Sequence, residues 1–302
     1  MTFSINDSPL AGTEGSKVTS REIWNRLERE AEGNVALIVS RTEDMNAFEV
    51  AGRGELQLAV LIETMRREGY ELSISRPRVI YRKDEKTGER LEPIEELFID
   101  VDEEFSGIVV EKISARKGEL TEMQPSGSDK RRLGFLVPSR ALIGYHGEFM
   151  TDTRGTGVMN RLFHSYGTYK GPIKGRGKGT LISMAEGKAA AYALWNLEER
   201  GPLFVGPGEK IYVGMIIGEH AKGQDLEVNP LKAKQLTNIR ASGKDEAVAL
   251  TTPIHMNLDK SLAYIGNDEL VEVTQTSIRL RKRFLDPHDR KRQSKQVEAA
   301  HP

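Results

Sequence analysis

The chain has 302 residues, 38% of them apolar and 29% charged, with a formal net charge of −1 and no cysteine. That length sets an expectation of two or three domains, and the lack of cysteine excludes disulfides and thiolate metal sites and suits a reducing cytoplasm. No apolar run reaches 18 residues and the start, "MTFSINDSPL", has neither a basic nor an apolar signal region, so no membrane span and no secretory leader is expected.

Residues 2–6 alternate as a strand, and "TSREIWNRLEREAEGN" follows as a helix. Thr19 and Glu22 have the spacing of a capping box, Ile23, Leu27 and Ala31 share one face, and Gly33 stands where a left-handed terminator is wanted. "VALIVS" and "AFEVAG" read as strands around the turn "RTEDMN". A second helix, "GELQLAVLIETMRREGY", buries Leu58, Leu61, Ile62 and Met65 and stops at Gly69, and "ELSIS" closes a β-α-β-β-α-β unit. After the polar stretch "RKDEKTGERLEP" the order repeats: strand "IEELFIDV", a helix with Phe105, Ile108, Val109 and Ile113 inward, and the strand pair "ELTEMQ" and "RRLGFLVP". A helix over "SRALIGYHGEFMTDTRG", capped by Ser139 and closed near Gly155, and the strand "TGVMNRLFHSYGTY" complete it.

From Gly171 the pattern changes. "GPIKGRGKG" reads as a flexible basic linker, and strand-like runs dominate: "TLISMA", "EKIYVGMIIGEH", "AVALTTP", "LVEVTQ" and "SIRLRKR", with one helix over "NLDKSLAYIGND". The expected fold class is α+β: two consecutive ferredoxin-like (βαββαβ) domains, residues 1–92 and 93–170, followed by a β-rich C-terminal domain, residues 171–302, with a basic tail.

The search for catalytic chemistry finds little. The six histidines are scattered without an H-E-x-x-H spacing, and no serine sits in a G-x-S-x-G elbow. The carboxylate clusters Glu95–Glu96 and Asp102–Glu103–Glu104 are better explained as a solvated strand end and an acidic first helical turn than as acid/base pairs. "AGRGELQL" lacks the third glycine of a dinucleotide fingerprint, and "GPIKGRGKGT" lacks P-loop spacing because Gly179 follows Lys178. No catalytic residue, cofactor or metal is therefore assigned.

The charge is uneven. Residues 274–296 carry eight Lys or Arg against Asp286 and Asp289, which fits either a polyanion contact at one end or a charged, frayed tail. "KAKQLTNIRASGKDE" sets cations among amide and hydroxyl side chains, the pairing that meets RNA phosphates, bases and 2′-hydroxyls. The RNA-contact candidates are Lys232, Lys234, Gln235, Thr237, Asn238, Arg240, Ser242, Gly243 and Lys244 in that loop. Arg279, Arg281 and Arg283, alternating on "SIRLRKR", and Lys174, Arg176 and Lys178 in the linker complete the set.

Residues 1–170 resemble the paired ferredoxin-like domains of translational GTPases such as elongation factor G, through "AGRGELQLAVLIETMRREGYELSISRPRVIYR", "EPIEELFIDVDEEFSGIVVEKISARKGEL" and "LVPSRALIGYHGEFMTDTRGTG". With "KQLTNIRASGKDEAV" and "NDELVEVTQTSIRLRKR" the resemblance narrows to the BipA/TypA family and spans essentially the whole chain. Ile239 stands where the family's "KKLTNMRASG"-like segment has methionine; the positions carried over from the resemblance are Lys234, Gln235, Leu236, Thr237, Asn238, Arg240, Ser242, Gly243 and Lys244.

The resemblance implies a C-terminal half only, equivalent to domains III and V and the family-specific C-terminal domain, with GTP and Mg held by an N-terminal GTPase domain that this sequence lacks. It further implies a cytoplasmic monomer with no membrane contact. Its partners would be the ribosome at the factor site (rRNA, A-site tRNA and nearby ribosomal proteins) and its own GTPase and β-barrel domains. Ribosome assembly, translation and stress adaptation come with the family. The competing readings are a structural module coupling nucleotide state to ribosome binding, and a small-molecule enzyme on a ferredoxin-like scaffold.

Overall fold

The computed structural model describes residues 1–127, 129–173, 175–232 and 249–300, the side chains of 297–300 excepted. The first segment runs β1 (Thr2–Ile5), α1 (Ser20–Gly33), β2 (Ile38–Arg41), β3 (Ala47–Ala51), α2 (Glu55–Arg67) and β4 (Leu72–Ser75). Both halves of the capping box on α1 form: the Glu22 N–H donates to Thr19, and the Thr19 N–H donates to the Glu22 carboxylate. Helix α2 buries Leu58, Ala59, Leu61, Ile62 and Met65, and Gly69 closes it at φ +88°, a backbone region open to glycine at little cost. The strands lie in the order β4-β1-β3-β2, all antiparallel.

The second segment runs β5 (Arg82–Lys83), β6 (Arg90–Asp102), α3 (Glu103–Ala115), β7 (Glu119–Pro125), β8 (Lys130–Pro138), α4 (Tyr145–Asp152) and β9 (Val158–Thr168). Its order β9-β6-β8-β7, antiparallel throughout, is that of a ferredoxin-like fold, with β5 adding to β6. Leu97, Ile99 and Val101 of β6 and Leu133, Phe135 and Val137 of β8 alternate inward against Val109, Ile113, Tyr145 and Phe149. Two expectations are corrected. Ile108 is exposed, because the buried stripe of α3 runs through Val109 and Ile113. The single helix expected from Ser139 is a short 3₁₀ turn, Ser139–Ala141, and then α4, since Gly144 at φ +73° interrupts the α-helical path.

The third segment adds β10 (Gly179–Ser183), β11 (Gly187–Lys188), α5 (Ala191–Glu198), β12 (Lys210–Ile211), β13 (Met215–His220), β14 (Leu226–Val228), α6 (Leu258–Tyr264), β15 (Glu269–Val273), β16 (Ile278–Lys282) and α7 (Pro287–Ala300). Its main strands do not form a separate sheet. β15 pairs with β4, in the register Val271↔Ile74 and Val273↔Leu72, and the order β14-β10-β13-β16-β15-β4-β1-β3-β2 makes one nine-stranded sheet.

The compact units therefore divide differently from the expected boundaries. One joins Met1–Arg76 to the described part of Arg176–Pro302, and the other is Pro77–Gly175. The reason is an open edge. A four-stranded ferredoxin-like sheet leaves β4 with unpaired backbone groups, and β15 satisfies them while setting Val271 and Val273 into the core of Phe3, Ile23, Leu27, Ile62 and Leu72. Each such side chain contributes about 1.5–3 kcal/mol on full burial. A second cluster in the same unit, around Leu181, Leu194, Leu203, Tyr212 and Ile217, holds the far half of the sheet. "AVALTTP" is no strand in its described part, residues 249–253, while α5 and α7 arise where no helix was expected.

Candidate nucleic-acid interface

The third segment carries most of the sequence-derived candidates. Lys234, Gln235, Thr237, Asn238, Arg240, Ser242, Gly243 and Lys244, and Lys174 before them, lie outside the described residues. The chain on either side of the loop is held by hydrogen bonds. The Ala190 N–H donates to the Pro230 carbonyl at 2.9 Å, and the Glu198 carboxylate accepts from the Thr251 N–H at 2.7 Å and its hydroxyl at 2.5 Å. The two sides are thus tied to opposite ends of α5. Lys232, the last described residue before the loop, is exposed.

The arginine row on β16 requires a correction. Residues at period two do share a strand face, but this face is covered. Arg281 is 1% exposed, pairs with Asp7 and donates to the Ser73 hydroxyl at 3.1 Å. Arg279 donates to Glu272 at 3.0 Å and pairs with Glu14. Only Arg283, just past the strand, is exposed; its N–H donates to the Asp268 carbonyl at 2.8 Å. In the linker, Arg176 forks onto Glu269 at 2.9 and 3.1 Å and lies 4.2 Å from the Tyr264 ring, while Lys178 meets Glu219 at 2.6 Å. Arg176 thus fixes the linker's end to the sheet, and Lys178 remains on the surface.

The segment Asn6–Ser16 covers that face. The Glu71 carboxylate is fully buried and accepts from the N–H groups of Gly12, Glu14 and Gly15 and from the Asn6 amide. Glu272, also fully buried, accepts from Asn6, Ser8, Arg279 and the Tyr212 hydroxyl, the last at 2.6 Å. Burial together with the neighbouring Glu272 carboxylate pushes the Tyr212 phenol well above its ordinary range. These two buried carboxylates accept on both oxygens from donors of their own chain, so they hold the segment in place rather than offering a free oxygen for acid/base chemistry.

Lys282 makes a second such site. Burial opposes its charge, but Glu269 at 2.9 Å, Asp225 at 2.6 Å and Asp268 at 2.8 Å outweigh that and hold it above the ordinary lysine range. No group of three or more His, Asp or Glu side chains suited to a metal ion occurs among the described residues. Among them, too, no helix is long and apolar enough to cross a membrane. The turn "AGRGELQL" is filled from within: the Gln57 side chain accepts from the Arg53 N–H at 2.7 Å, and a Cβ on Gly52 would meet its Oε1 at 2.8 Å.

Pro77–Gly175 has the strand order of a ferredoxin-like fold, and residues 89–176 match the family "Elongation factor G C-terminus". Residues 178–287 match the family "TypA/BipA C-terminal domain". The chain is 52% identical over 293 residues to the large ribosomal subunit assembly factor BipA of Escherichia coli K12, covering 97% of this chain and 48% of that protein. The same protein of Haemophilus influenzae is 52% identical at 97% and 47% coverage, and that of Synechocystis sp. is 51% identical over 282 residues at 93% and 47%. A solved structure from Thermus thermophilus overlaps 56% of this chain and 41% of its own at a TM-score of 0.37 and 14% identity, too loosely to bear on the fold. These matches show a C-terminal portion of BipA/TypA, an elongation factor G C-terminal domain followed by a TypA/BipA C-terminal domain, and the chain spans about half the length of the curated relatives it matches.

Proposed function

We propose that this chain is the ribosome- and RNA-contacting portion of a BipA/TypA-type factor acting in large-subunit assembly, in the cytoplasm, and that it performs no catalysis of its own. The observation that carries this reading is the match to proteins named large ribosomal subunit assembly factors along 97% of the chain. The basic loop is its contact element. Lys234, Arg240 and Lys244 supply charge for phosphates, while Gln235, Thr237, Asn238 and Ser242 supply hydrogen bonds for bases and 2′-hydroxyls. Lys178, Lys232 and Arg283 add surface charge, whereas Arg279 and Arg281 belong to the fold. Ribosomal RNA and the A-site tRNA are the intended partners, and GTP hydrolysis belongs to a GTPase domain outside this sequence.

The test is co-sedimentation of the 302-residue chain with ribosomes and with large subunits. The triple variant Lys234→Ala, Arg240→Ala, Lys244→Ala is expected to bind more weakly while its stability stays within the small range of surface substitutions, about 0.5 kcal/mol. If about six phosphates are met, log K falls against log salt with a slope of roughly −4 to −5. A folded chain that fails to sediment at low salt would sink the proposal, and salt-independent binding would assign the contact to ribosomal protein.

A further inference from the structure

The basic stretch near the end of the sequence is helical. It forms α7, and none of residues 287–296 is buried. From His288 to Gln296 the helix has no apolar residue. Arg290 holds it down: its guanidinium donates to the Phe284 and Leu285 carbonyls at 3.0 and 2.6 Å and to Glu227 of β14 at 2.8 Å. His288, Lys291, Arg292 and Lys295 follow one another at i, i+3, i+4 and i+7 and so form one stripe on the far side of the helix from Arg290. All four are exposed.

Acidic neighbours do not cancel this stripe. Asp289 is the one acid in residues 287–296, and it stands 3.8 Å from Arg292. Asp286, before the helix, accepts from the N–H groups of His288 and Asp289 at 2.7 and 3.3 Å, and Glu227 is taken by Arg290. Lys291 and Lys295 form no ion pair among the described residues. Their spacing, i and i+4, sets like charge beside like charge, which weakens a helix on its own, whereas a helix serving solubility alone gains from alternating signs. An anion laid along the stripe offsets that repulsion.

The chemistry of the anion is narrowed by what the stripe lacks. A membrane-surface helix needs an apolar face to sink among headgroups, and α7 has none over these turns. A protein interface is centred on apolar and aromatic side chains and is poor in lysine. A phosphate backbone asks only for cations and neutral hydrogen-bond donors, and Ser294 and Gln296 flank the stripe.

We propose that α7 lays Lys291, Arg292 and Lys295 along the phosphate backbone of RNA as a sequence-independent contact. The inference rests on the RNA-contact reading above and adds to it a second element, separate from the loop, whose ligand is the backbone rather than the bases.

The probes are two fluorescently labelled RNA hairpins of unrelated sequence, titrated into the 302-residue chain over a series of salt concentrations. The variant Lys291→Gln, Arg292→Gln, Lys295→Gln should bind both hairpins more weakly and to the same degree. Its slope of log K against log salt should be shallower by about 2 to 3, for three phosphates no longer met. Asp289→Asn, which removes the acid beside Arg292, should bind about twofold to threefold tighter, and it decides alone should the triple variant fail to fold. Unchanged affinity and slope in the triple variant, while the Lys234, Arg240 and Lys244 variant is weakened, overturn this contact and leave the loop reading standing. A loss confined to one hairpin means base recognition and overturns the backbone contact. Wild-type chain that binds neither hairpins nor ribosomes removes both readings. Binding to vesicles of phosphatidylglycerol and phosphatidylcholine that the triple variant loses, with RNA affinity unchanged, gives the stripe to a membrane and overturns the proposal.

Discussion

Arg279 on β16 pairs with Glu14, 265 residues earlier in the chain, and with the same guanidinium donates to the buried Glu272 of β15. The pairing closes the Asn6–Ser16 segment over the sheet and joins the first and last parts of the sequence in one unit. Removing one partner of a buried ion pair strands the other, which costs about 3–5 kcal/mol, whereas replacing an exposed arginine costs about 0.5 kcal/mol or less.

Arg279→Ala is therefore expected to destabilise the larger unit by about 3 kcal/mol, with Arg283→Ala close to wild type. Denaturant unfolding of the two variants measures the contrast. Equal effects at both positions would refute a structural role for the Arg279 pairing.

The acid stability of this unit follows from the same contacts. Burial raises the Glu14 pKa, but hydrogen bonds from Thr274 and Thr276 and the charge of Arg279 outweigh it, and the carboxyl lies below its ordinary 4.5. Asp225 is likewise raised by burial and lowered further by Lys282 and Thr180, to below its ordinary 3.8. A carboxylate whose pKa is depressed on folding contributes stability that is complete above the unfolded value and is lost as pH falls through the folded one. Unfolding free energy should hold down to about pH 4.5 as far as these two groups are concerned, and decline below it. Glu14→Gln should start lower at neutral pH and decline less steeply; a slope equal to wild type would show that Glu14 does not titrate with folding.

The element order of both ferredoxin-like segments was legible because each helix carries its own punctuation: Thr19 and Glu22 before α1, and Gly69 after α2. The union of the first and last segments was not. It depends on β15 finding the open edge of β4, nearly 200 residues away in the chain, and β-strands carry no local mark of their partner. Helix α5 escaped because "AYALWNLE" has no side-chain N-cap and follows a run of small residues. The arginines of "SIRLRKR" were legible as a face but not as a buried one, since their partners Asp7 and Glu14 lie at the other end of the sequence.

Gly201 is the tightest backbone passage beside α5. It sits at φ +144°, and a Cβ there would lie 2.2 Å from the Glu219 carbonyl on β13, whose backbone oxygen has no freedom to retreat. Gly201→Ala is expected to lose about 2–3 kcal/mol through strain and strand displacement. Gly33→Ala, at the end of α1 with nothing within 4 Å of the new Cβ, should be neutral or more stable by up to about 1 kcal/mol. Thermal unfolding of the pair tests the contrast, and a well-tolerated Gly201→Ala would contradict the close approach of this turn to β13.

The sheet pairing also dictates which pieces of the chain fold alone. Residues 77–175 have a closed set of strands and a core of their own, from Leu97 and Phe135 to Tyr145 and Phe149. A fragment of residues 77–175 is expected to unfold in one cooperative transition. A fragment of residues 1–92, the domain suggested by sequence pattern, should not. It leaves β4 without β15, uncovers the side of the core built from Val271, Val273, Leu258 and Leu262, and strips Glu71 of the support that Asn6 gains from Glu272. Circular dichroism melts and amide hydrogen exchange of the two fragments distinguish them. Slow exchange throughout Leu72–Ser75 in the 1–92 fragment would mean that the first segment is complete in itself and that the nine-stranded sheet is an accretion on it.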